Sequence, residues 1–311
     1  MKLIVTGSIA FDYLMSFPGK FTEHFLADHM DRVSLSFLVD SLDKRRGGCG
    51  PNIAYTIALL GERPFLMATA GQDFGEYQSW MDAVNIDTSL VKVISGKHCA
   101  SFFCSTDQAN NQIASFYTGA MANAGELSMR TVPGIKDALV IISPNDPDGM
   151  VQWAEECATM GVKYIWDPGQ QCARMEGSQL KSGVTGAFMV ICNDYEFELI
   201  RQKTGMGEAD ILAHAPLLVI TKGAKGCSIH TKDGVEDVAA VPPDRIEDPT
   251  GVGDAFRGGF MKGLATGAPY RVCARHGSVA ATYALEHLGG TSHAYTWAEF
   301  KRRYETHFGA L

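Results

Sequence analysis

The spacing of hydrophobic positions changes several times along the chain, and each change marks an element. Residues 3–5 are a short apolar run ending in Gly7-Ser8-Ile9-Ala10-Phe11-Asp12, the pattern of a buried strand that delivers a polar loop. From residue 118 onward, apolar runs at 138–143, 163–167, 187–193 and 217–221 alternate with helical patterns at 149–160, 194–203 and 208–214. Such alternation predicts an α/β fold with a mostly parallel central sheet flanked by helices. Helices over 270–287 and 296–307 are expected to close the domain.

Three stretches nearer the N-terminus read as strands of period two instead. Val33-Ser34-Leu35-Ser36-Phe37-Leu38-Val39 alternates small polar with large apolar residues, the mark of a strand with one buried face. Residues 99–105 and 112–117 are further strands, separated by a polar turn over 107–111. Together they predict a small β-sheet lid made of residues 14–40 and 91–117. It projects from a large domain made of residues 1–13, 41–90 and 118–311.

Composition narrows the partners. The chain has 311 residues, 46% hydrophobic and 20% charged, and a net charge of −8, which describes a globular protein and argues against nucleic acid. A polyanionic nucleotide would have to be held by local donors and a metal. The N-terminal apolar run is too short for a signal peptide and no membrane span is evident, so a cytoplasmic location is expected. Eight scattered cysteines form no C-x-x-C pair and read as buried thiols.

Glycine-rich stretches supply the candidate chemistry. In Asp248-Pro249-Thr250-Gly251-Val252-Gly253-Asp254, two glycines bracket Val252 just before a helical pattern over 255–264. A helix N-terminus there offers unpaired N–H groups to an anion. A carboxylate at Asp254 would repel that anion, unless it serves as a general base beside an incoming phosphoryl group. Arg46-Gly47-Gly48-Cys49-Gly50-Pro51-Asn52 lets backbone pack closely on a ligand, with Asn52 able to donate and accept.

Other loops each carry a functional and a purely structural reading. Asp12 follows a strand end, where open α/β sheets bind ligands. Asn193 and Glu196 lie three apart, which suits either hydrated Mg²⁺ or a helix cap. Gln170, Gln171 and Arg174 lie beyond another strand end, where amides suit a purine edge. Phe102 and Phe116 are either lid core or a sandwich for a flat base. The turn containing Thr221, Gly223 and Gly226 allows close approach to phosphates.

Four motifs in order, Gly47-Gly48-x-x-x-Asn52-x-Ala54, Asn193-x-x-Glu196, Thr221-x-Gly223-x-x-Gly226 and Asp248-x-Thr250-Gly251-x-Gly253-Asp254, resemble the ribokinase-like (PfkB) kinases along the whole chain. Within that family, residues 5–10, 33–40, 112–117 and 248–257 are similar to bacterial adenosine kinases. The resemblance implies a ribokinase-like fold and transfer of the γ-phosphoryl of MgATP to the 5′-hydroxyl of adenosine. It makes Asp254 the base and Gly251, Val252 and Gly253 the anion hole. Asp12, Gly48 and Asn52 would hold the ribose with Ser8 nearby, and Phe102 and Phe116 would stack on adenine. Gln170, Gln171 and Arg174 would lie along the nucleoside end. Asn193 and Glu196 would position Mg²⁺, and Thr221, Gly223 and Gly226 would line the ATP site.

Pro249 stands where many relatives carry Thr, and a K⁺ requirement near Asp248 is left open. The rival readings are a ribokinase-like sugar kinase and a catalytically silent nucleoside-binding sensor. An exposed lid edge suggests a homodimer, with Ser36 and Phe37 near a neighbour's site.

Overall fold

The computed structural model describes residues 1–25 and 34–311. The first half of the chain contains β1 (Lys2–Thr6), β2 (Ala10–Ser16), β3 (Ser41–Gly47), α1 (Cys49–Leu59), β4 (Phe65–Ala70), α2 (Gly75–Ala83), β5 (Asp87–Val93), β6 (Ala100–Thr106) and β7 (Gln112–Tyr117). Then come β8 (Ala138–Ile142), α3 (Pro147–Met160), β9 (Lys163–Trp166), α4 (Gly177–Val184), β10 (Met189–Asn193), α5 (Asp194–Thr204), α6 (Glu208–Leu212) and β11 (Leu218–Thr221). A hairpin, β12 (Cys227–Thr231) and β13 (Gly234–Val238), precedes α7 (Val252–Ala265), α8 (Tyr270–Leu285) and α9 (Trp297–Phe308).

Nine of the strands form one sheet in the order β13-β12-β11-β10-β9-β8-β1-β4-β5. Its pairs are parallel except for β11–β12 and β12–β13. Strands covered on both faces read as continuous apolar runs, and β8 is buried along its whole length. Each fully buried Val, Leu or Ile there contributes roughly 1.5–3 kcal/mol. The chain leaves β1 between β4 and β8, so the crevice beyond the C-terminal ends of β1 and β8 is a topological switch point.

The other four strands form a separate sheet, β3-β2-β6-β7. Its membership differs from the expected lid. Val33 lies outside the described residues, and 34–39 form no strand. The strand lies at Ser41–Gly47, a charged stretch without apolar alternation, because it pairs backbone to backbone with β2 and exposes its outer positions. The small sheet thus takes residues on both sides of the expected boundaries at 13/14 and 40/41. Phe37 packs against Phe17, Phe21 and His24 of its own chain.

Helix α7 lies deep because it carries glycines where neighbours approach. A Cβ on Gly258 would come 2.7 Å from Thr56 Cβ of α1, and one on Gly259 would come 2.6 Å from the His276 carbonyl of α8. These contacts fix the depth and angle at which the N-terminus of α7 meets the crevice.

Candidate active site

A cavity of about 540 Å³ opens between the small sheet and the C-terminal ends of the large one. Ser8 beyond β1, Pro144 beyond β8, and Gln170, Gln171 and Arg174 beyond β9 line its floor. Gly48, Cys49 and Asn52 enter from the start of α1, and Thr250, Gly251 and Asp254 from the start of α7. Asp12, Phe102 and Phe116 form the lid side.

The lid side follows from strand register. Arg45 pairs with Asp12, Asp12 with Phe102, and Phe102 with Phe116, so one row of side chains crosses all four strands on one face. Phe102 and Phe116 are therefore lateral neighbours. A sandwich was one of the two readings, beside lid core; the register instead makes one apolar wall on which a ring can stack. Burial pushes the Asp12 pKa up to about 6 against the pull of Arg45.

Gly251 is the N-cap of α7 with φ +76°, a left-handed conformation. A Cβ there would lie 2.6 Å from Gly290 Cα, so the position is restricted both by conformation and by space. The helix begins at Val252, which puts Asp254 at its third position, inside the first turn. Val252 N–H is directed at the Pro249 carbonyl at 3.4 Å, whereas the N–H groups of Gly251 and Gly253 meet no acceptor among the described residues. These two amides are the better donors for an anion.

Asp254 is partly accessible at the cavity wall, and Asn52 Nδ2 donates to its Oδ2 at 2.8 Å. Desolvation pushes its pKa up to about 6, opposed chiefly by Arg257 and then by the Asn52 hydrogen bond. A carboxylate tuned into that range ionises at neutral pH yet keeps appreciable basicity. Asn52 is buried, and a Cβ on Gly290 would lie 2.5 Å from its Oδ1. Gly48 carries φ +99°, and its missing Cβ leaves room for the Ser8 carbonyl.

The remaining expected residues lie elsewhere. Asn193 and Thr221 are register partners at the ends of β10 and β11, outside the cavity. Asn193 Oδ1 accepts from Glu196 N at 2.7 Å, and Glu196 Oε2 accepts from Asn193 N at 2.8 Å, a reciprocal capping box. Glu196 Oε1 makes no hydrogen bond among the described residues. That single carboxylate oxygen fits a hydrated Mg²⁺ that keeps most of its ligands from water and phosphate. No cluster of three or more metal-ligating side chains occurs among the described residues. Gly223 has φ +56° and Gly226 φ +87°, and Lys222 N–H bonds the Gly226 carbonyl at 2.7 Å, closing a tight turn. Both oxygens of Asp248 are engaged, Oδ1 by Thr250 N and Oδ2 by Gly289 N, each at 2.8 Å.

Several residues escaped the sequence reading. Cys49, Met121 and Pro144 line the cavity as ordinary-looking neighbours of recognised positions. Asp167 and Arg257 form a buried ion pair beneath it, and Gly290 packs on both Asn52 and Gly251. A lone arginine one turn after Asp254 in an apolar helix was the available signal for Arg257. A second cleft of about 470 Å³, at the ends of α8 and α9, holds none of the expected residues. Among the described residues no helix is long and apolar enough to cross a membrane, and all eight cysteines are unpaired.

Comparison with known proteins agrees with this architecture. Residues 8–297 match the family model described as pfkB family carbohydrate kinase. A nucleoside kinase of Methanocaldococcus jannaschii is 27% identical over 308 residues, covering 98% of this chain and 97% of the relative. The structure of Burkholderia thailandensis nucleoside kinase in complex with inosine is 38% identical, covers 99% of this chain and 98% of that one, and superposes with a TM-score of 0.87. The same enzyme in complex with ADP-inosine is 39% identical, covers 99% and 96% of the two chains, and gives 0.85. A family match over nearly the whole chain, on a ribokinase-like fold with a glycine turn and a carboxylate at the crevice, means that the chain belongs to the pfkB family of carbohydrate kinases.

Proposed function

We propose that the chain is a nucleoside kinase that moves the γ-phosphoryl of MgATP to the 5′-hydroxyl of adenosine. The observation that carries the reading is the position of Asp254. It stands at the N-terminus of α7, held by Asn52, facing a cavity walled by Phe102 and Phe116. The wall suits a flat base and would be idle against a free sugar, which argues against the ribokinase-type alternative.

In this reading Asp254 accepts the proton of the 5′-hydroxyl as the 5′-oxygen bonds to the γ-phosphorus. The bond from that phosphorus to the bridging oxygen breaks, and ADP leaves. The Gly251 and Gly253 amides receive the charge on the transferring group, where positioned donors do most of the catalytic work. Asp12, Gly48 and Asn52 hold the ribose with Ser8 beside them, while Gln170, Gln171 and Arg174 meet the base edge. Glu196, with Asn193, would hold Mg²⁺ through water, and the metal would offset phosphate charge. Thr221, Gly223 and Gly226 line the nucleotide side.

Inosine is the second reading, favoured by the inosine complex of the Burkholderia relative. Both bases fit the amides of Gln170 and Gln171, which donate as well as accept. The test is ADP release with adenosine, inosine, guanosine, ribose and fructose 6-phosphate. Adenosine is expected to give the highest kcat/KM; inosine ahead of adenosine would replace the substrate, and ribose ahead of both would sink the nucleoside reading. Asp254→Asn is expected to lower kcat by about 10²–10⁴-fold while calorimetry still detects nucleoside binding. Full turnover in that variant would remove Asp254 as the base.

A further inference from the structure

Beneath the glycine turn lies a buried ion pair, Arg257 with Asp167, to which the roles above give no part. Arg257 follows Asp254 by one turn of α7, and its side chain is only 8% exposed. The Asp167 carboxylate, fully buried just beyond β9, meets the guanidinium twice, with Nε 2.6 Å from Oδ2 and Nη2 donating to Oδ1 at 2.6 Å. Only the Nη2 contact is aligned as a hydrogen bond. Nη2 also lies 3.9 Å from Glu196 Oε2. The remaining nitrogen, Nη1, packs against Gly253 of the glycine turn, since a Cβ there would come within 2.9 Å of it.

A buried ion pair is a poor device for stability alone, because well-packed apolar residues of similar volume serve as well or better. This one touches three parts of the machinery: the glycine turn through Nη1, the capping box through Glu196, and, through Asp167, the start of the loop that carries Gln170 and Gln171 to the cavity. It is also unbalanced. Asp167, Glu196 and Asp254 together carry more negative charge than the single guanidinium can neutralise.

We propose that Arg257 is a positioning residue for phosphoryl transfer, clamped by Asp167 so that it braces the glycine turn from beneath and places a fixed positive charge behind Asp254. The inference rests on the reading of Asp254 as the base. The charged and titratable groups facing Asp254 are Arg257 from α7, Asp167 from the end of β9 and Cys49 from α1. Arg257 favours the carboxylate, and Asp167 opposes it. Arg257 therefore keeps the base ionised at neutral pH, while Asp167 limits that effect and holds the guanidinium in place. Glu196 shares the same charge, which ties the nucleotide side to the base.

Two substitutions of opposite electrostatic sign test the idea. Arg257→Met removes the positive charge and should move the acid limb of kcat/KM up by about a pH unit or more. Asp167→Asn keeps the shape, removes a negative charge and should move the same limb down. Arg257→Met should lower kcat at pH 7 by about tenfold or more with nucleoside Kd changed less than about twofold, and Arg257→Lys should recover part of the loss. The Asp254 carboxyl is also titrated directly by ¹³C NMR, assigned by its loss in Asp254→Asn. Opposite displacements in the two variants support the proposal. Unchanged limbs, or displacements in the same direction, overturn it, as expected of a merely structural pair. If Arg257→Met fails to fold, a limb left unmoved by Asp167→Asn overturns it alone. Absence of nucleoside turnover in the wild type would sink the kinase reading, while the carboxyl titration would still decide whether Arg257 and Asp167 act on Asp254 as stated.

Discussion

The two halves of the site are built on different principles. On the proposed acceptor side, a preformed cavity draws side chains from both sheets and two helix starts, and burial holds two carboxylates, Asp12 and Asp254, up at about 6. On the proposed nucleotide side, the expected residues lie at strand ends outside that cavity, and the polar groups of Asn193 and Glu196 largely satisfy each other. In that reading the acceptor half carries its chemistry in desolvated side chains, so it should be sensitive to single atoms. The nucleotide half relies on backbone turns and a capped helix, so it should tolerate side-chain changes better.

The sharpest way to break this contrast is Gly251→Ala. The position combines φ +76° with a Cβ 2.6 Å from Gly290 Cα, and the turn must move to admit it. Misplacing the amides proposed to receive the phosphoryl group should lower kcat by about 10²-fold. Steady-state kinetics on folded protein checks this, and a change of less than about threefold would mean that the turn does not bind the reacting group.

A smaller effect is expected from Phe102→Ala. Loss of one stacking surface of the wall should raise nucleoside KM by about tenfold, leaving the KM for ATP unchanged. Ribose, if it is turned over at all, should not respond. An equal change in both KM values would place the ring in lid movement and not in base contact.

The smallest effects belong to the nucleotide side. Asn193→Ala should cost about 1 kcal/mol of stability by loss of the cap, measured by urea unfolding. It should leave nucleoside KM unchanged. Glu196→Gln keeps an acceptor for the cap but loses the charge, and should raise the KM for MgATP several-fold more than Asn193→Ala does. If the two variants behave alike, Glu196 is only a cap and the metal expectation fails.

Much of this was legible locally. The glycine turn, the carboxylate after it and the strand–helix alternation are near-neighbour patterns, and helix termini and buried strands are governed by residues a few positions apart. The small sheet was harder to read. Ser41–Gly47 has no apolar alternation, because a strand paired through its backbone at a sheet edge does not need one. Residues 34–39 alternate without becoming a strand, since alternation signals a strand only where a partner lies alongside. The sandwich reading of Phe102 and Phe116 gave way for a similar reason: sequence places each on a strand, but register decides whether they face one another or stand side by side.

What the sequence by itself determined was the class of fold, the candidate phosphoryl turn and the identity of its acid, because these depend on local periodicity and on conformations that glycine alone takes easily. Tertiary structure alone decided that residues more than two hundred positions apart, such as Asn52 and Asp254, share a hydrogen bond. It also decided that Arg257 lies on Asp167. Desolvation raises Asp254 to about 6 only once the chain has closed around it, and that depends on packing, which no short stretch of sequence contains.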